Sequence, residues 1–238
     1  MVPPVPLDWC GAQTQGTIGA ILLNAMPAAL AARGLRRPMA ALVTRTRVDP
    51  ADPHFQQPSK PIGRYLPEAE ARVMVEHGQV WQDRGERGWR RVVASPEPVE
   101  ILDTAAVTAL LAAGFLVVAA GGGGIPVVRD PGGMVRGVEA VIDKDLSAAL
   151  LARTVGADVL VIATDVDAVR VGFRTPDERK LGRVDVAELR RWHRDGGFDG
   201  GSMGPKVEAA CRFVESGGAR AVITALDTIA EAAAGRPR

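Results

Sequence analysis

The sequence has little of what would tie it to secretion, to metals or to membranes. Its 238 residues include two cysteines, Cys10 and Cys211, too few for a disulfide framework or a thiolate cluster. Both read as buried free thiols of a reducing compartment. The histidines His54, His77 and His193 share no spacing and read as surface or structural, and no Ser–His–Asp or Cys–His set is recognisable. Charge of one sign is missing too: the net charge of +1 gives no support for a nucleic-acid or membrane surface. No apolar run reaches the roughly 20 residues of a membrane span, and no basic–apolar–cleavage pattern opens the chain. A cytoplasmic globular protein is expected, without nucleic-acid or membrane partners, and 47% hydrophobic with 24% charged residues is ordinary for one.

Lysine is also scarce. Of 29 basic residues 25 are arginine, and the four lysines are Lys60, Lys144, Lys180 and Lys206. Three of them fall in distinctive motifs, PSKPIG, IDKD and GSMGPK. A compact ammonium follows a moving phosphoryl group as a point charge, where a guanidinium prefers fixed bidentate geometry. Lys180, in the turn-like TPDERK, reads as a solvated charge.

What is present is an α/β rhythm. Apolar spacing predicts a helix over 13–33, interrupted by Pro27 and ended at Gly34, then a short buried strand over 38–44. From 48 to 98 proline, charge and the aromatics Tyr65, Trp81 and Trp89 collect without a period, which reads as a small inserted subdomain. RGERGWRR (84–91) within it reads as a solvated hairpin turn. Beyond it follow a helix capped by Asp103, a buried strand over 115–120, a hairpin around DPGG over 126–138, a helix over 145–155 and a strand over 158–163. Helices over 185–194 and 207–215, a strand over 220–226 and a final helix over 227–234 complete the pattern.

Four motifs sit at strand or helix ends, where α/β proteins place ligand sites. GGGGIPV (121–127) follows a buried strand, and its glycines allow backbone N–H groups to approach an anion; it matches neither the P-loop nor GxGxxG. IDKDL places Asp143, Lys144 and Asp145 at a strand-to-helix junction, where Asp145 is open to reading as an N-cap. ATDVDAV ends a strand with Thr164, Asp165 and Asp167, residues that are also ordinary turn formers. GSMGPK (201–206) leads into a helix, with Ser202 as a candidate cap and Lys206 at the positive helix end, a ready anion site.

In order and wording these motifs, with PLDWCGAQTQGTIG (6–19) and QPSKPIGRYLPEAEA (57–71), resemble the carbamate kinases of the amino acid kinase family. The resemblance implies a three-layer α/β/α sandwich with a mostly parallel central sheet and an inserted, lid-like subdomain at 48–98. It implies reversible phosphoryl transfer between carbamoyl phosphate and ADP, giving ATP and carbamate, as in arginine fermentation. Gly121, Gly122, Gly123 and Gly124 then face the transferred phosphoryl group and the carboxylate-like substrate. Asp145 orients the catalytic lysines, Lys144 contacts phosphate, Lys206 stabilises phosphate charge, and Lys60 closes over the site. Thr164, Asp165 and Asp167, with Met203 and Gly204, serve the nucleotide. ATP or ADP would carry Mg2+ on its phosphates, with no dedicated protein metal site, and a homodimer is expected. A carbamate kinase also opens with an ALGGNA-like glycine loop and an SHGNGPQVG-like segment. Neither occurs here, so the chain as given is expected to be an N-terminally incomplete, catalytically defective form. A nucleotide-binding remnant and another acyl-phosphate-forming kinase of the same fold are the alternatives.

Overall fold

A computed structural model describes residues 5–173, 175–198 and 203–235, which fall into two compact units, Met1–Lys144 and Asp145–Arg238.

The first unit begins with a long helix, α1 (Leu7–Ala31). It starts earlier than its apolar spacing indicates, and Pro27 lies inside it. Only Gln15 and Gly19 of this helix are fully buried. Then come β1 (Met39–Ala41), β2 (Arg45–Arg47), β3 (Lys60–Leu66), α2 (Glu68–Glu76), β4 (Val80–Asp83) and β5 (Trp89–Val93). The unit continues with β6 (Glu100–Ile101), α3 (Thr104–Ala112), β7 (Leu116–Val118), β8 (Ile125–Arg129) and β9 (Val135–Gly137). Two parallel pairings position the site. β1 pairs with β7 (Ala41↔Val118), and β2 pairs with β8 (Thr46↔Pro126). Residues 42–46 and 119–125, the segments leaving β1 and β7, therefore run side by side. The hairpin expected around DPGG is present as β8 and β9.

The aperiodic stretch contains its own antiparallel sheet in the order β3–β5–β4. Its alternation is hidden from sequence by Pro61 and by a register shift between Ile62 and Tyr65. Arg84–Arg91 is the β4–β5 hairpin, turning through a short 3-10 segment at Gly85–Arg87.

Asp103 stands at the N-cap of α3, but its side chain makes no cap bond there. Its carboxylate instead accepts from the Arg45 backbone N–H at 2.8 Å and from the Arg45 guanidinium at 2.7 Å. A charged partner on β2 outbids the helix end, because charge-assisted bonds are the stronger kind.

The second unit contains α4 (Lys144–Thr154), β10 (Val159–Thr164), β11 (Arg170–Val171), β12 (Arg179–Lys180), α5 (Val186–Arg194), α6 (Met203–Glu215), β13 (Arg220–Ala225) and α7 (Ile229–Ala233). β10 and β13 pair in parallel over six residues. Ala149 and Ala152 of α4 and Ala209 and Phe213 of α6 pack with Leu160 and Ile162 of β10. The alanines let both helices lie close to the sheet. Short turns reverse the chain between α4 and β10 and between α6 and β13, so both helices run against the strands they precede. The helix N-termini and the carboxyl end of β10 thus share one edge, the edge where open α/β sheets bind ligands.

Cys211 is buried, Cys10 only half-buried, and both are free thiols. Among the described residues no helix is long and apolar enough to cross a membrane.

Candidate active site

The glycine turn of the first unit is built from beneath. Gln15, buried on α1, accepts from the Thr44 N–H at 2.9 Å and donates to the Thr44 carbonyl at 3.1 Å. It also accepts from the Thr44 hydroxyl at 3.0 Å, and that hydroxyl in turn accepts from the Ala120 N–H at 2.8 Å. Ala120 enters the turn in a left-handed conformation, φ 52°. Thr46 Oγ1 donates to the Gly123 carbonyl at 2.9 Å. Two of the glycines are required by geometry. Gly123 and Gly124 have φ of 102° and 91°, a region that L side chains rarely adopt. A Cβ on Gly123 would lie 2.5 Å from the Ile142 carbonyl oxygen, and one on Gly124 would collide with the Thr46 hydroxyl. The turn is therefore pressed against the segment that carries IDKD.

That segment is zipped onto the three-stranded sheet. Ala140 bridges Ala94 in parallel, and the Val141 N–H donates to the Ala94 carbonyl at 3.0 Å. Val93, next door on β5, pairs with Lys60. The register brings Asp143 alongside Lys60, and Lys60 Nζ donates to Asp143 Oδ2 at 2.8 Å. The Asp143 side chain is 10% exposed and that of Lys60 38%.

In the second unit Lys206 Nζ donates to Asp145 Oδ2, also at 2.8 Å, but here both side chains are buried, 5% and 8% exposed. Asp145 is the second residue of α4 and Lys206 the fourth of α6. The reading of Asp145 as an N-cap is thereby replaced by a lysine contact. Lys144, the first residue of α4, is exposed. The two carboxylates flanking it thus each engage one of the other two motif lysines.

At the carboxyl end of β10, Thr164 Oγ1 donates to Asp165 Oδ1 at 3.0 Å. Asp167 accepts from Lys180 Nζ at 2.8 Å, so Lys180 is not simply solvated. The ammonium of Lys180, first in hydrogen bonding and then in charge, holds the Asp167 carboxyl below its usual range. Met203 opens α6 and packs against the cluster of Val169, Leu181, Phe198, Val207 and Cys211. Gly204 follows it; Gly201 and Ser202, the candidate cap, lie outside the described residues. His54 pairs with Asp52 at 2.7 Å and His193 lies 3.4 Å from Glu208, local partners that fit structural roles.

The model of the amino acid kinase family matches residues 28–225. The chain is 48% identical over 237 residues to the carbamate kinase of Thermococcus kodakarensis, covering 99% of this chain and 75% of that protein. It is 45% identical over 228 residues to carbamate kinase 1 of Enterococcus faecium, covering 95% and 73%. The chain belongs to the carbamate kinases of the amino acid kinase family. In structure it is similar to the carbamate kinase from Giardia lamblia bound to AMP-PNP, with a TM-score of 0.89 and 40% identity over 100% of this chain and 75% of that one.

Within this carbamate kinase fold, Lys60 lies with Asp143 beside the glycine turn in the first unit, and Lys206 lies with Asp145 in the second. Asp143, Gln15 and the threonine pair Thr44–Thr46 carry the geometry but are not singled out by sequence. For Asp143 the available signal was its symmetry with Asp145 about Lys144. For Gln15 there was none, since Gln13 and Asn24 lie in the same helix and only the fold buries Gln15 among them.

Proposed function

We propose that the protein catalyses reversible phosphoryl transfer between carbamoyl phosphate and ADP, forming ATP and carbamate. The observation that carries this reading is the pair of lysine–carboxylate contacts that IDKD makes, one beside a glycine turn and one at two helix N-termini, in a carbamate kinase fold. Phosphoryl transfer passes through a loose, in-line transition state, so a protein accelerates it by positioning and by neutralising charge. In this reading Gly121–Gly124 offer backbone amides to the transferred group or to the carbamate oxygens. Lys60, Lys144 and Lys206 supply positive charge, and Asp145 orients Lys206. Thr164, Asp165 and Asp167, with Met203 and Gly204, hold the nucleotide; the AMP-PNP of the Giardia structure supports a nucleotide ligand of this kind.

The carboxylates of IDKD are engaged by ammonium groups at 2.8 Å. The donor set therefore fits a Mg2+ that arrives on nucleotide phosphates, where it neutralises the charge on their oxygens. The three-stranded sheet with α2, inside the 48–98 stretch, is proposed to act as a lid that keeps water from an unstable carbamate. A cytoplasmic location and a homodimer belong to the same proposal.

A coupled ATP assay tests it. ATP should form from ADP and carbamoyl phosphate, with N-acetylglutamate and aspartate failing as acceptors in the reverse direction. A preference for an amino acid acceptor would move the protein to another branch of the family, and nucleotide binding without turnover would identify a non-catalytic relative.

A further inference from the structure

Lys60 stands on the edge strand of the three-stranded sheet, and its partner Asp143 lies 83 residues later, on the segment against which the glycine turn is pressed. The sheet does not need this bond to stay attached. Arg91 Nη2 pairs with Glu139 Oε1 at 2.9 Å, Glu139 also accepts from the Leu7 N–H at 2.9 Å, and Val141 donates to Ala94 at 3.0 Å. The Lys60–Asp143 contact is set apart by its asymmetry, a nearly buried carboxylate holding an ammonium that is still 38% exposed. An ammonium has three N–H donors, and the Asp143 bond uses one. A lysine on a four-carbon stem samples many rotamers unless something fixes it.

We propose that Asp143 is a positioning residue for phosphoryl transfer: its carboxylate fixes the Lys60 ammonium beside the glycine turn, with donors directed to an incoming phosphoryl or carboxylate oxygen. This rests on the phosphoryl-transfer reading above and adds to it a second aspartate with its own lysine. Asp143 stays bonded to Lys60 when the anion arrives. Releasing the ammonium would move a counter-charge away from a nearly buried carboxylate that it touches at 2.8 Å, which is costly, whereas sharing it keeps that bond and adds others. Asp143 does not touch the reacting atoms and acts through Lys60.

The test is a double-mutant cycle on the full chain with Asp143→Asn, Lys60→Met and the double variant, assayed with ADP and carbamoyl phosphate. Each single change should lower kcat about tenfold or more, with a smaller change in KM. The double variant should match Lys60→Met within about twofold, since a residue that acts only through its partner adds nothing once that partner is gone. Asp143→Glu, which keeps the charge but displaces the ammonium by one methylene, should fall between wild type and Asp143→Asn, and it serves if the asparagine variant does not fold. Glu139→Gln, which removes a purely structural link, should lower the melting temperature and leave kcat near that of wild type. A wild-type kcat in Asp143→Asn, or losses that multiply in the double variant, would overturn the proposal. If wild-type protein makes no ATP, the functional reading fails, and NMR relaxation of the Lys60 ammonium tests the positioning contact by itself. Asp143→Asn should free the ammonium while Glu139→Gln leaves it as ordered as in wild type, and an ammonium equally ordered in Asp143→Asn would overturn the proposal.

Discussion

The two lysine–carboxylate pairs of IDKD are alike in chemistry and unlike in surroundings. Both are 2.8 Å contacts between an ammonium and an aspartate. Lys206–Asp145 joins the first turns of two helices and is closed to solvent, with side chains 5% and 8% exposed. Lys60–Asp143 joins an edge strand to a loop, and its lysine is 38% exposed. A buried pair gains from low dielectric but has already lost its hydration, so breaking it by removing one partner is expensive. A half-open pair costs less to form and leaves donors within reach of a ligand. The same two residue types therefore form a solvent-closed link within the second unit in one place and a half-exposed contact in the first unit in the other.

The sharpest way to break this contrast is Lys206→Met. It should cost about 3–5 kcal/mol of stability, the usual penalty for removing one partner of a buried pair, and should lower kcat by about 10²-fold or more. Lys144→Ala, at the exposed position between the carboxylates, should lose a similar factor in kcat while stability stays within about 0.5 kcal/mol. Urea melts beside turnover assays separate the two, and a Lys206→Met protein that melts like wild type would erase the distinction.

A smaller effect measures how dry α6 is. Cys211 lies on that helix, five residues beyond Lys206, and burial pushes its thiol up from 9.0 to about 11. The unfolded chain then ionises this thiol at lower pH than the folded chain does. Its contribution is complete below pH 9 and is lost as the pH rises from 9 towards 11. The stability gap between wild type and Cys211→Ala should narrow over that interval; a constant gap would mean that water reaches this face of the helix.

The smallest effect is expected at Lys180. Its pair with Asp167 is more than half exposed on both sides, 55% and 54%, and such pairs contribute about 0–1 kcal/mol. Lys180→Ala should leave melting unchanged and raise the KM for ADP by up to about fivefold. A larger rise would assign the lysine to the nucleotide directly.

These contrasts also explain what was legible in the sequence. The helices from Lys144 onward were readable to within a few residues, because each is short, amphipathic or alanine-rich and bounded by polar turns. Asp185 was readable as the start of α5, and its carboxylate accepts from the Ala187 N–H at 2.8 Å. Asp103 looked the same but was claimed by Arg45, 58 positions earlier, a competition that local sequence does not record. The strands of the 48–98 stretch stayed hidden because a proline and a bulge destroy their alternation. The motif lysines stood out against a background of arginine. Asp143 did not, since what distinguishes it is a register that joins β5 to the segment after β9. The apolar run over 115–120 implied a parallel strand, whereas the β2–β8 pairing, made by Arg45–Arg47, and the Gln15–Thr44–Ala120 chain beneath the glycine turn were not implied.

That chain of hydrogen bonds has a consequence in time. The contacts that shape the glycine turn close loops of 29 and 76 residues, and Lys60–Asp143 closes one of 83. Each closure is opposed by chain entropy until the intervening segments have collapsed, and structures dominated by such distant partners fold slowly. The glycine turn is therefore among the last features of the first unit to assemble. During synthesis its bonds to Thr44 and Thr46 cannot form until Gly123 has left the ribosome, and recovery of the turn after dilution from denaturant should lag behind recovery of helical signal.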